Sequence, residues 1–456
     1  MYQTDNLKQK IKLFMIIFFP ILITQVSLNL MTFFDTVMSG RAGAEDLAGV
    51  AIGSSLWVPV FTGINGILLA ITPIIAQLLG AQEDKSIKQK VQQAMYLSVG
   101  LAIAILLLGL ILLNPILNTM DLEYEVRHIA KFYLITLGVG IIPLFIFNTL
   151  RCFMDALGQT RMSMIIILIA LPINLLFNYI FIFGKFGVPA FGGIGAGIAT
   201  ALTYWVISLL AIAILYKVAP FRDYQLFSSW VRPRVKEWLE QLKIGVPIGF
   251  AIFFETSIFA AVTLLMSAYS TNTIAAHQAA MNFSSLLYMI PLSVGMALTI
   301  TVGFEVGAKR MQDAKVYGYI GISGGIFIAL FNGIVLFAFN DYVAGLYNTD
   351  PDVIALTVQF IGFAIVYQLA DAFGAPIQGA LRGYKDVNMT LVIALVSYWV
   401  IGLPTGWILA NYTSLEPFGY WVGIITGLSC GALALLARLI HIQKKYRNQI
   451  ENSSAT

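Results

Sequence analysis

Twelve stretches of this chain are long and apolar enough to cross a lipid bilayer, and this feature narrows the possible folds more than any other. Their approximate limits are 13–38, 50–79, 92–113, 129–156, 162–183, 193–217, 243–267, 274–304, 316–339, 354–380, 389–410 and 418–441. A bilayer core is spanned by about 20 apolar residues in a helix. No water is available there to satisfy backbone N–H and C=O groups, so spans of this length must be helical. The expected fold is therefore an all-α integral membrane protein with twelve transmembrane helices. Of the 456 residues, 59% are hydrophobic and 11% charged, and the mean hydropathy is +0.83. Soluble domains carry about 25% charged residues. A chain this apolar could not cover a water-facing surface, so its expected surroundings are lipid, and no nucleic-acid partner is expected. Several windows exceed what a bilayer requires and should tilt or bend. Pro20, Pro59, Pro73, Pro172, Pro247, Pro291 and Pro404 lie within them, and each removes a backbone donor.

Lysine and arginine placement orients the spans. With the N-terminus inside, the cytoplasmic segments hold 23 of these residues and the external segments hold four: Arg41, Arg127, Lys131 and Lys185. The positive-inside rule then places both termini in the cytoplasm. The charged N-terminus runs into the first apolar stretch with no small-residue cleavage site, which reads as an uncleaved first span. Cys152 and Cys430 stand in separate apolar contexts, and no CxxC or disulfide framework is present.

The chain also repeats itself. A shift of 227 residues carries Pro20 onto Pro247, Gly80-Ala81 onto Gly307-Ala308 and Glu125-Val126 onto Asp352-Val353. Four further residues of shift bring Leu150-Arg151 onto Leu381-Arg382. Six spans per repeat give both halves the same orientation, a parallel duplication that predicts two pseudo-symmetric six-helix bundles around a central cleft. The expected domains are an N-lobe over 1–220, a cytoplasmic linker over 221–243, a C-lobe over 244–445 and a cytoplasmic tail over 446–456.

Three carboxylates lie inside these spans: Asp35, Glu255 and Asp371. An ionisable group at membrane depth costs a few kcal/mol or more, and tends to persist where it meets an ion, a proton or a charged substrate. No Lys or Arg lies near Asp35 in the sequence, and all the intramembrane charges read as acidic. Asn174 and Asn178 are spaced to share one helix face, with Thr200 and Thr203 in the next span and Gln25 ahead of Asp35. These amides could equally serve helix–helix association. Glu255 and Asp371 belong to the second repeat. Two carboxylates close together in low dielectric call for a proton or a cation such as Na⁺. The eighth span adds His277, Gln278, Asn282 and Tyr288, whose ring could face a cation or simply pack. Asp350 and Asp352 flank Pro351 in an external loop, as a solvated turn or as a negative mouth favouring cations. The three histidines give no metal spacing, and GxxxxGK[ST] is absent. GGIGAG at 192–197 opens a span and reads as close helix packing. No catalytic set or cofactor motif is found, so the chain is not expected to be an enzyme.

The stretches PILITQVSLNLMTFFDTVMSGRAGAEDLAGVAIGSS, TPIIAQLLGA, LPINLLFNYIFIFGKFGVPAFGGIGAG, KIGVPIGFAIFFE, LYMIPLSVG, YNTDPDV and ALRGYKD together resemble the multidrug and toxic compound extrusion (MATE) transporters, in their NorM-like branch. The resemblance covers about residues 8–445. It implies two six-helix lobes and efflux of cationic drugs, such as aromatic dyes and fluoroquinolones, driven by inward Na⁺ or H⁺, by a monomer in the bacterial inner membrane. It further implies an N-lobe acid at Asp35 with Asn174, Asn178 and Thr200 beside it. A C-lobe cation site falls on Glu255 and Asp371, with the Tyr288 ring, and drug contacts fall on Asp35, Gln278 and Asp350. Asn178 stands where other branches carry a second acid, and Thr349 where the external loop often carries one. A lipid-linked precursor flippase of the same superfamily is the main alternative; it would call for cationic cleft residues. An intramembrane enzyme lacks a catalytic set, and a channel lacks a filter signature.

Overall fold

The computed structural model describes residues 1–454, with side chains through residue 448. The helices are α1 (Leu7–Ala42), α2 (Ala44–Leu68), α3 (Ile71–Gly80), α4 (Asp84–Thr119), α5 (Tyr124–Gly138), α6 (Ile141–Ala156), α7 (Thr160–Phe183) and α8 (Gly193–Lys217). A 3₁₀ turn over Phe221–Tyr224 precedes α9 (Val235–Met266), α10 (Thr271–Gly307), α11 (Met311–Ala338), α12 (Asn340–Tyr347) and α13 (Pro351–Gly383). Then come α14 (Asn388–Ala394), a π-helical stretch over Leu395–Gly402, α15 (Leu403–Tyr412) and α16 (Pro417–Ser454). Among the described residues, eleven segments are long and apolar enough to cross a membrane, and α5 with α6, bent by 52°, supply a twelfth. The sequence-based windows all fall on these segments.

Two of the seven prolines sit just after a change of helix geometry within their spans: Pro73 in the first turn of α3, after the break between α2 and α3, and Pro404 in the first turn of α15, directly after the π-helical stretch. Pro20, Pro59, Pro172, Pro247 and Pro291 are internal to their helices.

The helices form two compact units: residues 23–249, and residues 1–22 with 250–456. They are called here the Asp35 unit and the Glu255 unit. The divisions depart from the expected domains at 1–220 and 244–445. They fall inside α1 and inside α9, two residues beyond Pro20 and Pro247, and they are 227 residues apart, which is the shift of the repeat itself. Each proline weakens its helix locally, and the preceding segment packs with the other repeat.

The anchoring contacts are specific. In the Glu255 unit, Lys10 Nζ donates to the Thr4 carbonyl at 2.7 Å and pairs with Asp313 at 3.1 Å, while Thr4 Oγ1 and the Tyr317 hydroxyl are 3.1 Å apart. In the Asp35 unit, Lys90 pairs with Glu237 and, at 3.0 Å, with Glu240. The segment expected to be a cytoplasmic linker is likewise held down. Gln92 Nε2 donates to the carbonyls of Leu226 and Ser229, both at 2.7 Å, and Gln93 Oε1 accepts from the Arg234 N–H at 2.9 Å. From Val235 onward this segment is already helical. Most of the expected tail continues α16; its side chains past residue 448 lie outside the described residues.

Glycines allow the closest helix approaches. A Cβ on Gly379 would lie 2.1 Å from the Gly295 carbonyl oxygen, and Thr299 Oγ1 donates to the Gly379 carbonyl at 2.9 Å. α10 and α13 are thereby locked backbone to backbone. The run at 192–197 behaves as expected, since a Cβ on Gly195 would meet the Phe181 carbonyl oxygen at 2.4 Å. Gly379→Ala is expected to destabilise the folded protein by about 1–3 kcal/mol through overpacking. Gly100→Ala, where a Cβ meets nothing within 4 Å, should be neutral or slightly stabilising. Thermal melts of the two purified variants in detergent check the contrast.

Candidate ion- and substrate-binding sites

In the Asp35 unit, three helices converge on one carboxylate. α7 carries Asn174 and Asn178 one turn apart, both fully buried. Asn178 Nδ2 donates to Asp35 Oδ1 at 2.5 Å and to Asn174 Oδ1 at 3.2 Å, and Thr200 Oγ1 of α8 donates to Asp35 Oδ2 at 3.1 Å. The predicted quartet is therefore assembled. Thr203 is not part of it, since its hydroxyl donates to the Ala199 carbonyl at 2.8 Å. Gln25 is not among the partners of Asp35 either, and its carbonyl accepts from Asn29. Tyr133 and Tyr204 lie close enough to feel the Asp35 charge, and neither was singled out from sequence. Charge-assisted hydrogen bonds of this kind favour an ionised carboxylate, but they bring no positive charge.

The Glu255 unit brings Glu255 of α9 and Asp371 of α13 together. They are 7% and 3% exposed, near enough to interact electrostatically. Tyr288 of α10 stands beside both, as predicted. So do Tyr367, one turn before Asp371 on α13, and Tyr398 in the π-helical stretch. Tyr367 was detectable at i,i+4 from Asp371. Tyr398 carried no sequence signal, although π-helical geometry often marks functional positions. Asp371 also lines a small cavity, with room for about one water-sized group, together with Tyr288, Asn332 and Gln368. The buried Nε2 of Gln368 has no hydrogen-bond partner among the described residues.

One positive side chain at the end of α13 is buried in the protein. Arg382, assigned from sequence to a cytoplasmic segment, is 8% exposed and lies within α13. Its guanidinium donates to Gln378 Oε1 at 3.1 Å, and both side chains lie near enough to Glu255 to act on its charge. Even so, none of Asp35, Glu255 and Asp371 forms a salt bridge with a Lys or Arg among the described residues.

Other expected site residues take structural roles or stand apart. Asp350 is exposed and caps α13, its Oδ1 accepting from the Asp352 N–H at 2.9 Å, with Pro351 at the first helical position. Gln278 is exposed and donates to Asn282 Oδ1 at 3.3 Å. Neither is a partner of the Glu255–Asp371 pair. His277 is buried, and its Nδ1 accepts from Trp421 Nε1 at 3.0 Å. Its Nε2 therefore carries the proton and donates to Thr263 Oγ1 at 3.1 Å, whose own proton goes to the Phe259 carbonyl at 2.9 Å. That closed chain ties α9, α10 and α16 together and makes His277 a neutral structural group.

Helices long and apolar enough to cross a membrane, with two carboxylates buried among those of the Glu255 unit, are an architecture that suits a membrane transporter. The MatE family profile matches residues 20–180 and again 247–408, once in each repeat. The chain belongs to this family. It is 72% identical over 445 residues to a protein of Oceanobacillus iheyensis named "Probable multidrug resistance protein NorM", covering 98% of this chain and 100% of that one. A protein of the same name from Halalkalibacterium halodurans is 56% identical over 446 residues, covering 98% of this chain and 97% of that one. A solved structure described as an outward-facing multidrug resistance MATE family transporter of the MOP superfamily superposes with a TM-score of 0.86 at 20% identity. That superposition covers 97% of this chain and 100% of the other, and supports the fold.

His277→Phe leaves the Trp421 N–H without its acceptor and takes away the donor to Thr263 Oγ1, and is expected to cost about 1–3 kcal/mol of stability. The matching thermal shift should shrink when Thr263→Val is already present, because the two groups share one chain of hydrogen bonds.

Proposed function

We propose that this chain exports organic cations, including aromatic dyes and fluoroquinolone-type antibiotics, in exchange for inward Na⁺ or H⁺. It does so as a monomer in the bacterial inner membrane, with both termini cytoplasmic and no cofactor. The observation that carries the reading is the buried Glu255–Asp371 pair, with fewer positive charges around it than negative ones. In low dielectric the pair is stable when a proton or a Na⁺ ion compensates it. Carboxylate and phenol oxygens suit a hard cation, and Tyr288, Tyr367 and Tyr398 are near enough to feel the charge of the pair.

Asp35 is the substrate- or proton-responsive acid of its unit, positioned by Asn178 and Thr200. Gln278 and Asp350 complete the drug contacts by the family resemblance. Cation binding at Glu255 and Asp371 changes the helix packing of that unit and favours outward release of drug. By linkage, drug and coupling ion weaken each other's binding by the same factor. The flippase alternative is less well supported: the one buried arginine of the Glu255 unit bonds to Gln378, and the cavity beside Asp371 presents a carboxylate, an amide pair and a phenol.

In everted vesicles loaded by an imposed Na⁺ or proton gradient, Glu255→Gln and Asp371→Asn should each lower uptake of a fluorescent cation by about tenfold or more. Parent-like uptake by both variants under every gradient refutes the assignment. Asn178→Ala removes the closest donor to Asp35 and should reduce drug uptake by about tenfold, the value of one charge-assisted hydrogen bond. Cation binding by the Glu255 unit should stay intact in that variant, as read by labelled Na⁺.

A further inference from the structure

In the Asp35 unit, residues 226–234 run along α4 as a strap whose backbone is fastened by three side chains of that helix. Gln92 Nε2 holds the carbonyls of Leu226 and Ser229, and its Oε1 accepts from the Val231 N–H at 3.1 Å. Gln93 Nε2 donates to the Arg232 carbonyl at 2.8 Å, and its Oε1 accepts from the Arg234 N–H. The Tyr96 hydroxyl donates to the Val231 carbonyl at 3.0 Å. Both glutamines are fully buried. With its backbone turned to α4, the strap leaves the side chains of Trp230, Arg232 and Arg234 exposed, and Val235 and Lys236 follow, also exposed, in the first turn of α9. Trp230 is 51% exposed although its ring lies 5.8 Å from that of Tyr96. Arg232, Arg234 and Lys236 form no salt bridge among the described residues, and the acids just beyond them, Glu237 and Glu240, are taken by Lys90. Val235 and Leu239, one turn apart on α9, are both exposed. The shift of 227 residues puts Gln3, Asp5, Leu7 and Gln9 at the positions of Trp230, Arg232, Arg234 and Lys236, and Tyr319 and Ile320 at those of Gln92 and Gln93. This cationic shelf and its fastening therefore belong to one repeat alone.

We propose that this shelf binds the headgroup of an anionic phospholipid in the cytoplasmic leaflet. The proposal rests on the cytoplasmic placement of the segment. The 32 residues of α9 make about 48 Å of helix against a hydrocarbon core of about 30 Å, so the charged first turns stand at the level of the headgroups. Two guanidiniums and an ammonium meet the phosphate, to which arginine can offer paired N–H donors. Trp230 has the amphipathic ring favoured at a membrane–water boundary, and Val235 and Leu239 face the upper part of the acyl chains. Because Gln92 and Gln93 have already fixed the strap, its cations lose little freedom on binding. The anionic surface of the leaflet supplies the complementary charge.

The test titrates purified full-length protein in uncharged detergent with phosphatidylglycerol or phosphatidylcholine carrying the same brominated acyl chains. Quenching of Trp230 fluorescence is read as the difference between the parent and Trp230→Phe. Phosphatidylglycerol should half-quench the parent at a concentration about tenfold or more below that needed for phosphatidylcholine. Arg232→Gln, Arg234→Gln and Lys236→Gln combined should bring the two lipids to within about twofold of each other. Unchanged quenching by phosphatidylcholine in that variant marks a folded strap. Lys8→Gln with Lys12→Gln, which removes exposed positive charge elsewhere, should leave the preference intact. Equal quenching by both lipids in the parent overturns the proposal. So does a preference that survives the triple variant, or one that falls as far in the lysine variant. Quenching of Trp230 by iodide and by neither lipid also overturns it, and makes the shelf a surface for a soluble partner. Labelling of Ser229→Cys by an impermeant maleimide added outside right-side-out vesicles refutes instead the cytoplasmic placement.

Discussion

Negative charge without matching positive charge, held in a medium of low dielectric, is the constraint around which this protein is organised. Moving a carboxylate out of water costs several kcal/mol even after relaxation, and Glu255 and Asp371 are both buried within one unit. Hydrogen bonds lessen that cost without cancelling the charge. Asn178 and Thr200 do so for Asp35. The remaining imbalance is what a mobile cation can relieve, and a transporter needs a favourable site that is not so favourable that the ion stays.

The scaffold around these groups is built from close backbone contact and uncharged hydrogen bonds where rigidity is needed. α10 and α13, which carry Tyr288, Asp371 and Arg382, meet through Gly295 and Gly379 at backbone distance. The His277–Trp421–Thr263 chain fixes α9 and α16 to the same group of helices without offering a charge. Elsewhere, the helix is weakened at corresponding points. α1 and α9 each divide between the two units just beyond a proline, at positions related by the repeat. Duplication has thus preserved the site of division as well as the helix count.

Much of this was legible in the chain. Spans follow from apolar length alone, and the duplication shows in loop landmarks such as Gly80-Ala81 and Gly307-Ala308. Acids in apolar runs stand out because their cost is a local property. The Asn174–Asn178 spacing was sufficient to put both amides on one face, and the structure brings them to Asp35. What escaped depended on long-range packing. Arg382 sits at the end of an apolar run, and its burial there comes from packing that the sequence does not show. Tyr398 is placed by a π-helical stretch that no periodicity announces. The unit limits were missed because a helix crossing from one unit to the other keeps its hydropathy throughout. Asp350 was read as a possible cation-attracting group, although Asp-Pro at a helix start already fits a cap.

The central claim is that Glu255 and Asp371 hold the coupling cation. Its most direct test is difference infrared spectroscopy of the protein in lipid as Na⁺ or protons are exchanged, with bands assigned through Glu255→Gln and Asp371→Asn. The account predicts that carboxylate stretching bands belonging to these two residues shift or disappear on cation exchange, and reverse when drug is added. If those bands stay fixed while the protein carries out ion-driven drug export, the coupling ion binds elsewhere and the account is wrong.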